Sequence, residues 1–201
     1  MTFTVSNFKS NIAKAGGGAR PSLYKIDINS AFTEASWSDM SNILVKAASI
    51  PAANIAPLPV NFAGRAYKWN GFRTYDIWTV TVINDEDFYA RNRMMNWMRG
   101  ISGHLDGNRT KAYGSPLYGN KKQWWDGDAT VSQLGTNGEV KQVYKFYNLW
   151  PTEIAEIPVD WSSDAIQEYT IGFAYDYWGH GTGPKTETDF KDVINATSSA
   201  T

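Results

Sequence analysis

Side chains that commonly perform acid–base or metal chemistry are scarce in this chain and lie far apart. It has only two histidines, His104 and His180, and both lie in glycine-rich stretches. Neither has a carboxylate or a second histidine at the spacing of a metal site, so a solvated loop position is the favoured interpretation of each. The chain contains no cysteine, which excludes a disulfide framework and a thiolate metal site.

Acidic residues cluster twice, in Asp85-Glu86-Asp87 and in Asp126-Gly127-Asp128. The first cluster follows a strand pattern and precedes a helical pattern, where Asn84 or Asp85 can cap the helix and Glu86 and Asp87 favour its first turn. The second cluster lacks the later ligands of a calcium loop and indicates a turn. The sequence therefore predicts no catalytic, cofactor-binding or metal-binding residue, and it does not predict an enzyme.

The chain is rich in aromatic residues, with nine tryptophans and eleven tyrosines. Trp124 and Trp125, with Tyr113 and Tyr118 nearby, could stack nucleobases, but a nucleic-acid groove also needs a basic track. Only three lysines lie nearby and the formal net charge is −1, which favours packing within a core or between subunits. Exposed aromatic rings leave a carbohydrate-binding β-sandwich module open as a more distant alternative.

The elements that must position these residues are mostly strands. Alternating apolar residues predict strands over residues 23–28, 43–48, 75–83 and 169–178. Asn137-Gly138 predicts a hairpin, and apolar residues at helical spacing predict one helix over residues 85–100. The predicted core scaffold is Trp78, Val80, Val82, Met94, Trp97, Phe173 and Tyr175. Together these elements predict a mainly β fold, an antiparallel β-sandwich or barrel with one flanking α-helix.

The chain divides into one predicted domain with two extensions. Three glycines followed by Arg20-Pro21 predict that residues 1–21 form a flexible N-terminal arm. Residues 22–178 form the β domain, with a projecting hairpin or loop at 52–74 and a long loop at 102–128, and residues 179–201 form a polar C-terminal tail. No secretory signal and no membrane anchor are predicted, so the expected setting is the cytosol of the cell that makes the protein.

Three segments, taken in order, resemble the tail tube protein of contractile-tailed bacteriophages of the T4-like kind. The first is Gly-Ala-Arg-Pro-Ser-Leu-Tyr-Lys-Ile-Asp-Ile28, and the second is Arg73-Thr-Tyr-Asp-Ile-Trp-Thr-Val-Thr-Val-Ile-Asn-Asp-Glu86, followed by Trp97. The third is Leu149-Trp-Pro-Thr-Glu-Ile-Ala-Glu-Ile-Pro-Val-Asp-Trp161, continuing to Ala174-Tyr-Asp-Tyr-Trp178. The chain departs from the shorter members in an enlarged loop at 102–128 and in more than twenty residues after Trp178.

The resemblance implies a structural virion protein with a tail-tube-like fold that carries extended arms and loops. Such a protein forms homohexameric rings, which stack into the inner tube of a contractile tail after assembly in the host cytoplasm. Its implied partners are the tail sheath protein and the baseplate and tail terminator proteins, and genomic DNA passes through the lumen without specific binding. The near-neutral charge of the chain suits such a conduit.

The resemblance supplies no catalytic residue, and it directs attention to contacts between subunits. Our hypothesis places inter-subunit contacts at Phe8, Arg20, Arg65, Trp69 and Arg73. The segments at 1–20 and 52–74 are the candidate arms, because a segment that becomes ordered only on contact restrains premature assembly. The main alternative is the tube subunit of a phage-tail-like injection system or a type VI secretion-like system, which shares the fold and the mode of assembly.

Overall fold

A computed structural model of the protein describes residues 4–14, 16–29, 44–101 and 127–182. The described helices are α1 (Val5–Lys14) and α2 (Tyr89–Ile101). The described strands are β1 (Tyr24–Asn29), β2 (Val45–Ala48), β3 (Asn54–Phe62), β4 (Arg65–Thr74), β5 (Trp78–Ile83), β6 (Gly127–Leu134), β7 (Val140–Ile154), β8 (Glu168–Ala174) and β9 (Tyr177–Thr182). The mainly β, antiparallel fold predicted from the sequence is confirmed.

One seven-stranded antiparallel sheet forms the body of the protein, in the order β1-β6-β7-β8-β5-β2, with β9 also paired to β7. The first part of β7 pairs with β6 and β9, and its last part pairs with β8. Asn148, which has a φ of 55°, lies between these two parts and turns the strand. The sheet curls enough for the hydroxyl of Tyr24 on β1 to donate to the carbonyl of Val45 on β2, at 3.1 Å.

The core lies inside this curl and is dominated by aromatic rings. Trp78 on β5 stacks on Phe146 of β7 with ring centroids 4.4 Å apart. Trp97 on α2 contacts Phe173 of β8, at 6.3 Å between centroids. A Cβ on Gly127 would lie 2.7 Å from the Trp97 ring and 2.2 Å from the carbonyl oxygen of Leu149, so only glycine permits this close approach.

The structure buries most of the predicted core scaffold. The fully buried members are Trp78, Val80, Val82, Met94, Trp97 and Phe173. Tyr175 is half-buried at the edge of the core, where its ring meets Phe146 edge-on at 4.9 Å. The predicted hairpin at Asn137-Gly138 joins β6 to β7, with Gly138 at a φ of 77°.

The helix predicted over residues 85–100 begins at Tyr89 instead. The carboxylate of Asp85 accepts hydrogen bonds from the backbone N–H groups of Tyr89 (2.7 Å) and Ala90 (3.1 Å), so it caps the helix across an intervening turn. Glu86 and Asp87 therefore precede the helix and do not lie in its first turn. The cap is one of the two residues that the sequence predicted, Asn84 or Asp85, and the helix starts later than predicted.

The strand predicted over residues 169–178 is two strands, β8 and β9, separated at Tyr175-Asp176. Asp176 causes the break, because its N–H donates to the carbonyl of Tyr147 and its carboxylate accepts from the side chain of Asn148. After the break, β9 pairs with β7 as far as Thr182. The ordered domain thus continues past the predicted boundary at residue 178, because a glycine-rich segment can pair through its backbone alone.

Two further differences concern the segments predicted as an arm and a loop. Residues 5–14 of the predicted arm form helix α1, so the described residues contain two helices where the sequence predicted one. Strand β6 begins at Gly127, inside the loop predicted at 102–128. His104, the aromatic residues of that loop and residues 183–201 of the tail predicted at 179–201 lie outside the described residues.

Candidate assembly surfaces

Strands β3 and β4 form a hairpin, residues 54–74, that pairs with no other described strand. Every residue of the two strands except Gly71 is exposed. Ala63 and Gly64 make the two-residue turn with φ angles of 49° and 76°, the left-handed pair that closes a tight hairpin. The projecting hairpin or loop predicted at 52–74 is thus a hairpin.

One face of the hairpin is apolar, as its register shows. Leu58 lies opposite Trp69, Val60 opposite Tyr67, and Phe62 opposite Arg65. Because side chains alternate between faces along a strand, the five large apolar residues of these pairs share one face. Each of them is between 44% and 72% exposed. A two-stranded hairpin is at best marginally stable alone in water, so this face has the character of a binding surface.

The base of the hairpin is attached firmly to the body. The side-chain amide of Asn54 donates to the carboxylate of Asp76 at 2.9 Å. Next to it, the indole N–H of Trp178 donates to the carbonyl of Ala52 at 3.2 Å. Pro57 and Pro59 lie in β3 and have no N–H to offer a further strand. A partner would therefore bind the side chains of the hairpin and would not extend its sheet by pairing with the backbone of β3.

Helix α1 is a second exposed surface. None of its residues is buried, and Val5, Phe8 and Ile12 recur at helical spacing and are all exposed. The glycines at 16–18 all have positive φ angles and separate the helix from the body. The chain rejoins the body at Arg20, whose carbonyl accepts a hydrogen bond from the Gln133 side chain at 2.8 Å.

A third surface is the loop between β7 and β8, residues 155–167, which we call the Trp161 loop. Val159, Trp161 and Ile166 are all strongly exposed on it. The carboxylate of Asp160 accepts hydrogen bonds from the backbone N–H of Ser162 (2.9 Å) and from its hydroxyl (2.8 Å). These two bonds fix the turn beside Trp161, and they hold the pKa of Asp160 below its usual value.

The structure distributes the five proposed contact residues over two of these surfaces. Arg65, Trp69 and Arg73 all lie exposed on the hairpin. Phe8 lies on α1, and Arg20 lies where the arm meets the body. None of the predicted contact residues lies in the Trp161 loop. Its sequence does carry the signal of an exposed loop, because Pro158 and the turn-forming Asp160-Trp-Ser162 lie between apolar residues.

Lys145 and His180 each lie against another side chain of the domain. Lys145 is buried and its ammonium lies 3.1 Å from the carboxylate of Asp128. His180 lies on β9 opposite Tyr144, with its ring 5.9 Å from that of Trp178, and not in the loop that the sequence suggested. Within the described residues no group of three or more metal-ligating side chains is found, and no helix is long and apolar enough to cross a membrane.

Tyr169 on β8 should make the folding stability of the domain depend on pH in the alkaline range. Burial raises the pKa of Tyr169 from 10.0 to about 12, although nearby Arg91 opposes the rise. Because the folded state holds this proton more tightly than the unfolded state, the stability that it contributes is complete below about pH 10 and is lost as the pH rises towards 12. The hydroxyl has no hydrogen-bond partner among the described residues.

Replacing Tyr169 by phenylalanine should reduce this alkaline loss and should not lower stability at neutral pH. Phenylalanine keeps the ring, over which the Arg91 guanidinium lies at 5.1 Å, and removes a buried hydroxyl without a partner. Urea unfolding at neutral pH and at about pH 11 measures the effect. Tyr67→Phe, at an exposed position, is the matched control. A variant that loses as much stability at high pH as the unsubstituted protein would show that Tyr169 is not responsible.

Comparison with known proteins shows which family the sequence of this chain matches. Residues 4–180 match the phage tail tube protein family. The chain is 30% identical over 167 residues to the tail tube protein gp19 of Enterobacteria phage T4, which covers 82% of this chain and 93% of gp19.

Two solved structures share the fold. A chain of the anti-feeding prophage baseplate has a TM-score of 0.58 and 8% identity, covering 82% of this chain and 96% of that one. A chain from the sheath/tube terminator of an extracellular contractile injection system has a TM-score of 0.54 and 13% identity, covering 82% and 97%.

Proposed function

Because this chain belongs to the phage tail tube protein family, we propose that it forms homohexameric rings that stack into the inner tube of a contractile phage tail. The assembled tube lies in the virion and conducts the genome into the host, and DNA passes through its lumen without specific binding. Subunits assemble in the host cytoplasm. The role is structural and requires no catalytic residue.

The observation that carries this proposal is the uncovered apolar face of the hairpin. Its five large side chains are left in contact with water by the rest of the described chain. Fully burying a large apolar side chain is favourable by about 1.5–3 kcal/mol, so covering this face against another copy would supply much of the free energy of assembly. Contacts between unlike surfaces close within a ring and remain open along the axis, which is how a tube of identical subunits grows.

Helix α1 and the hairpin are the proposed contact arms, with Phe8 and Arg20 on the first and Arg65, Trp69 and Arg73 on the second. Both expose apolar side chains that the domain itself does not need for its core. Neither arm can bury these side chains alone, so addition of a subunit becomes favourable when several arms make contact together. This arrangement supports growth on an existing ring over aggregation of free subunits.

The proposed partners are the tail sheath protein around the tube and the baseplate and terminator proteins at its ends. They are supported by the sources of the two similar solved structures, a baseplate and a sheath/tube terminator. The low identity to those chains leaves an alternative in place, namely the tube subunit of an injection or type VI secretion-like particle. The phage relative at 30% identity favours the genome conduit. The family match replaces the interpretation as a carbohydrate-binding module.

Electron microscopy of the purified protein at several concentrations tests the proposal. We expect six-fold rings or hollow tubes whose abundance rises with concentration, because the contacts are between copies of one chain. Mass spectrometry of particles from an infected host would then show whether the same chain lies inside a sheath. Monomers at every concentration, both alone and with isolated baseplates as nuclei, would contradict the proposal.

A further inference from the structure

The hairpin and the Trp161 loop carry charges of opposite sign. The hairpin has three basic residues and no acidic one, and the loop has three acidic residues and no basic one. These residues are Arg65, Lys68 and Arg73 in the hairpin, and Glu156, Asp160 and Asp164 in the loop. All are exposed and none forms an ion pair within the described part of the chain. Each set of charges is therefore available to a partner.

Both segments also combine these charges with exposed apolar side chains. The hairpin exposes the face that contains Trp69, and the loop exposes Val159, Trp161 and Ile166. Aromatic residues at the centre of a contact, with charges of opposite sign around them, are the usual composition of a specific interface between proteins. The two segments are complementary in charge and alike in their apolar content.

The two segments leave the sheet at opposite ends. The hairpin connects the end of β2 to the start of β5, where Trp78 lies opposite Phe173. The Trp161 loop returns to the sheet at Glu168, which lies opposite Ile83 at the other end of β5, and the N–H of Asn84 bonds to the carbonyl of Gln167. Trp78 and Ile83 are five residues apart along β5, a distance of about 17 Å. Because the hairpin and the loop lie at opposite ends of β5, the hairpin of one copy can contact the loop of another copy more easily than its own loop.

We propose that the Trp161 loop of one copy is the receptor for the hairpin of the next copy, so that subunits join head to tail. This inference rests on the proposed function and deepens it, since it assigns the two halves of one contact. Trp161 supplies the apolar centre against the face of the hairpin that contains Trp69. The acidic residues of the loop pair with basic residues of the hairpin, of which Arg65 shares the apolar face, opposite Phe62. Because these charges are exposed before contact, assembly slows as salt is added.

A charge-reversal experiment tests the pairing. One variant carries Glu156→Lys and Asp164→Lys, which leaves the turn at Asp160 intact, and a second carries Arg65→Glu and Arg73→Glu. Each alone should raise the concentration needed for tube formation by about tenfold or more, because like charges then face each other. The chain that carries all four substitutions should assemble at nearly the unsubstituted concentration. Glu139→Lys, at the exposed β6–β7 turn, is the control and should assemble normally.

Cross-linking gives an independent readout, because the chain contains no cysteine of its own. A chain that carries both Arg65→Cys and Asp164→Cys should give a ladder of disulfide-linked dimers, trimers and higher species under mild oxidation. A mixture of the two single-cysteine chains should give dimers that contain one chain of each kind.

The outcomes separate the two proposals. Tubes that form equally well from every reversal variant, or a fourfold variant no better than the double variants, would overturn the pairing while leaving the tube function intact. Disulfide formation only between like single-cysteine chains would overturn it as well. An unsubstituted protein that remains monomeric under all conditions would overturn the proposed function itself.

Discussion

Replacing Trp97 by alanine is expected to lower the free energy of unfolding by about 3–5 kcal/mol, the usual effect of removing a large buried aromatic side chain. Trp97 is 1% exposed, and its ring lies between Phe173 of the sheet and Gly127 at the start of β6. Its loss would leave a cavity where α2 meets the sheet. Because domains of this size are stable by about 5–15 kcal/mol, this substitution removes a large part of the stability of the domain.

Chemical unfolding monitored by circular dichroism measures this effect, and a second tryptophan supplies the control. Trp161 is fully exposed, at 107% of the reference value, so Trp161→Ala should change stability by no more than about 0.5 kcal/mol. The same substitution at two positions thus separates a core role from a surface role. Equal stability of the two variants would show that α2 contributes little to the fold.

Replacing Leu58, Tyr67 and Trp69 together by serine should abolish tube formation and leave the folded subunit intact. These side chains share the exposed apolar face of the hairpin and contribute nothing to the buried core. Aromatic residues at the centre of an interface commonly contribute about 2 kcal/mol or more each. Losing three such side chains should raise the concentration needed for assembly by about a thousandfold or more. Sedimentation velocity and electron microscopy measure assembly, and thermal unfolding measures the subunit.

The reverse face of the same hairpin provides the matched control. Asn61, Ala66 and Asn70 lie on that face by the same register, and serine at all three positions preserves the length and turn of the hairpin. This variant should assemble within about threefold of the unsubstituted protein, since peripheral polar contacts contribute little to binding. Equal loss of assembly from both triple variants would indicate that the hairpin acts through its backbone or its rigidity and not through its apolar face.

The parts of the fold that the sequence predicted well are those whose local pattern and tertiary role agree. Trp78, Val80 and Val82 alternate because one face of β5 is buried, and the structure buries all three. Likewise, Asn137-Gly138 predicts a hairpin because the left-handed conformation that glycine allows is what the tight turn requires.

The errors arise where a distant partner decides the structure. The alternation of residues 169–178 continues through Asp176 without interruption, and the break depends on hydrogen bonds to Tyr147 and Asn148 that no local pattern contains. Residue type does not predict exposure either. Trp97 and Trp161 are both tryptophans, and yet Trp97 is buried in the core and Trp161 is exposed to water. The sequence therefore located the hairpin but could not predict which of its faces is apolar and uncovered, because that depends on register.

The placement of the hairpin and the Trp161 loop at opposite ends of one sheet has a consequence for the finished particle. In the head-to-tail arrangement that we propose, the subunits produce a filament with polarity, and its two terminal rings are chemically different. One terminus displays unoccupied basic hairpins, and the other displays unoccupied acidic loops. A protein that starts the filament must then mimic one of these surfaces and a protein that stops it must mimic the other, so initiator and cap cannot exchange places.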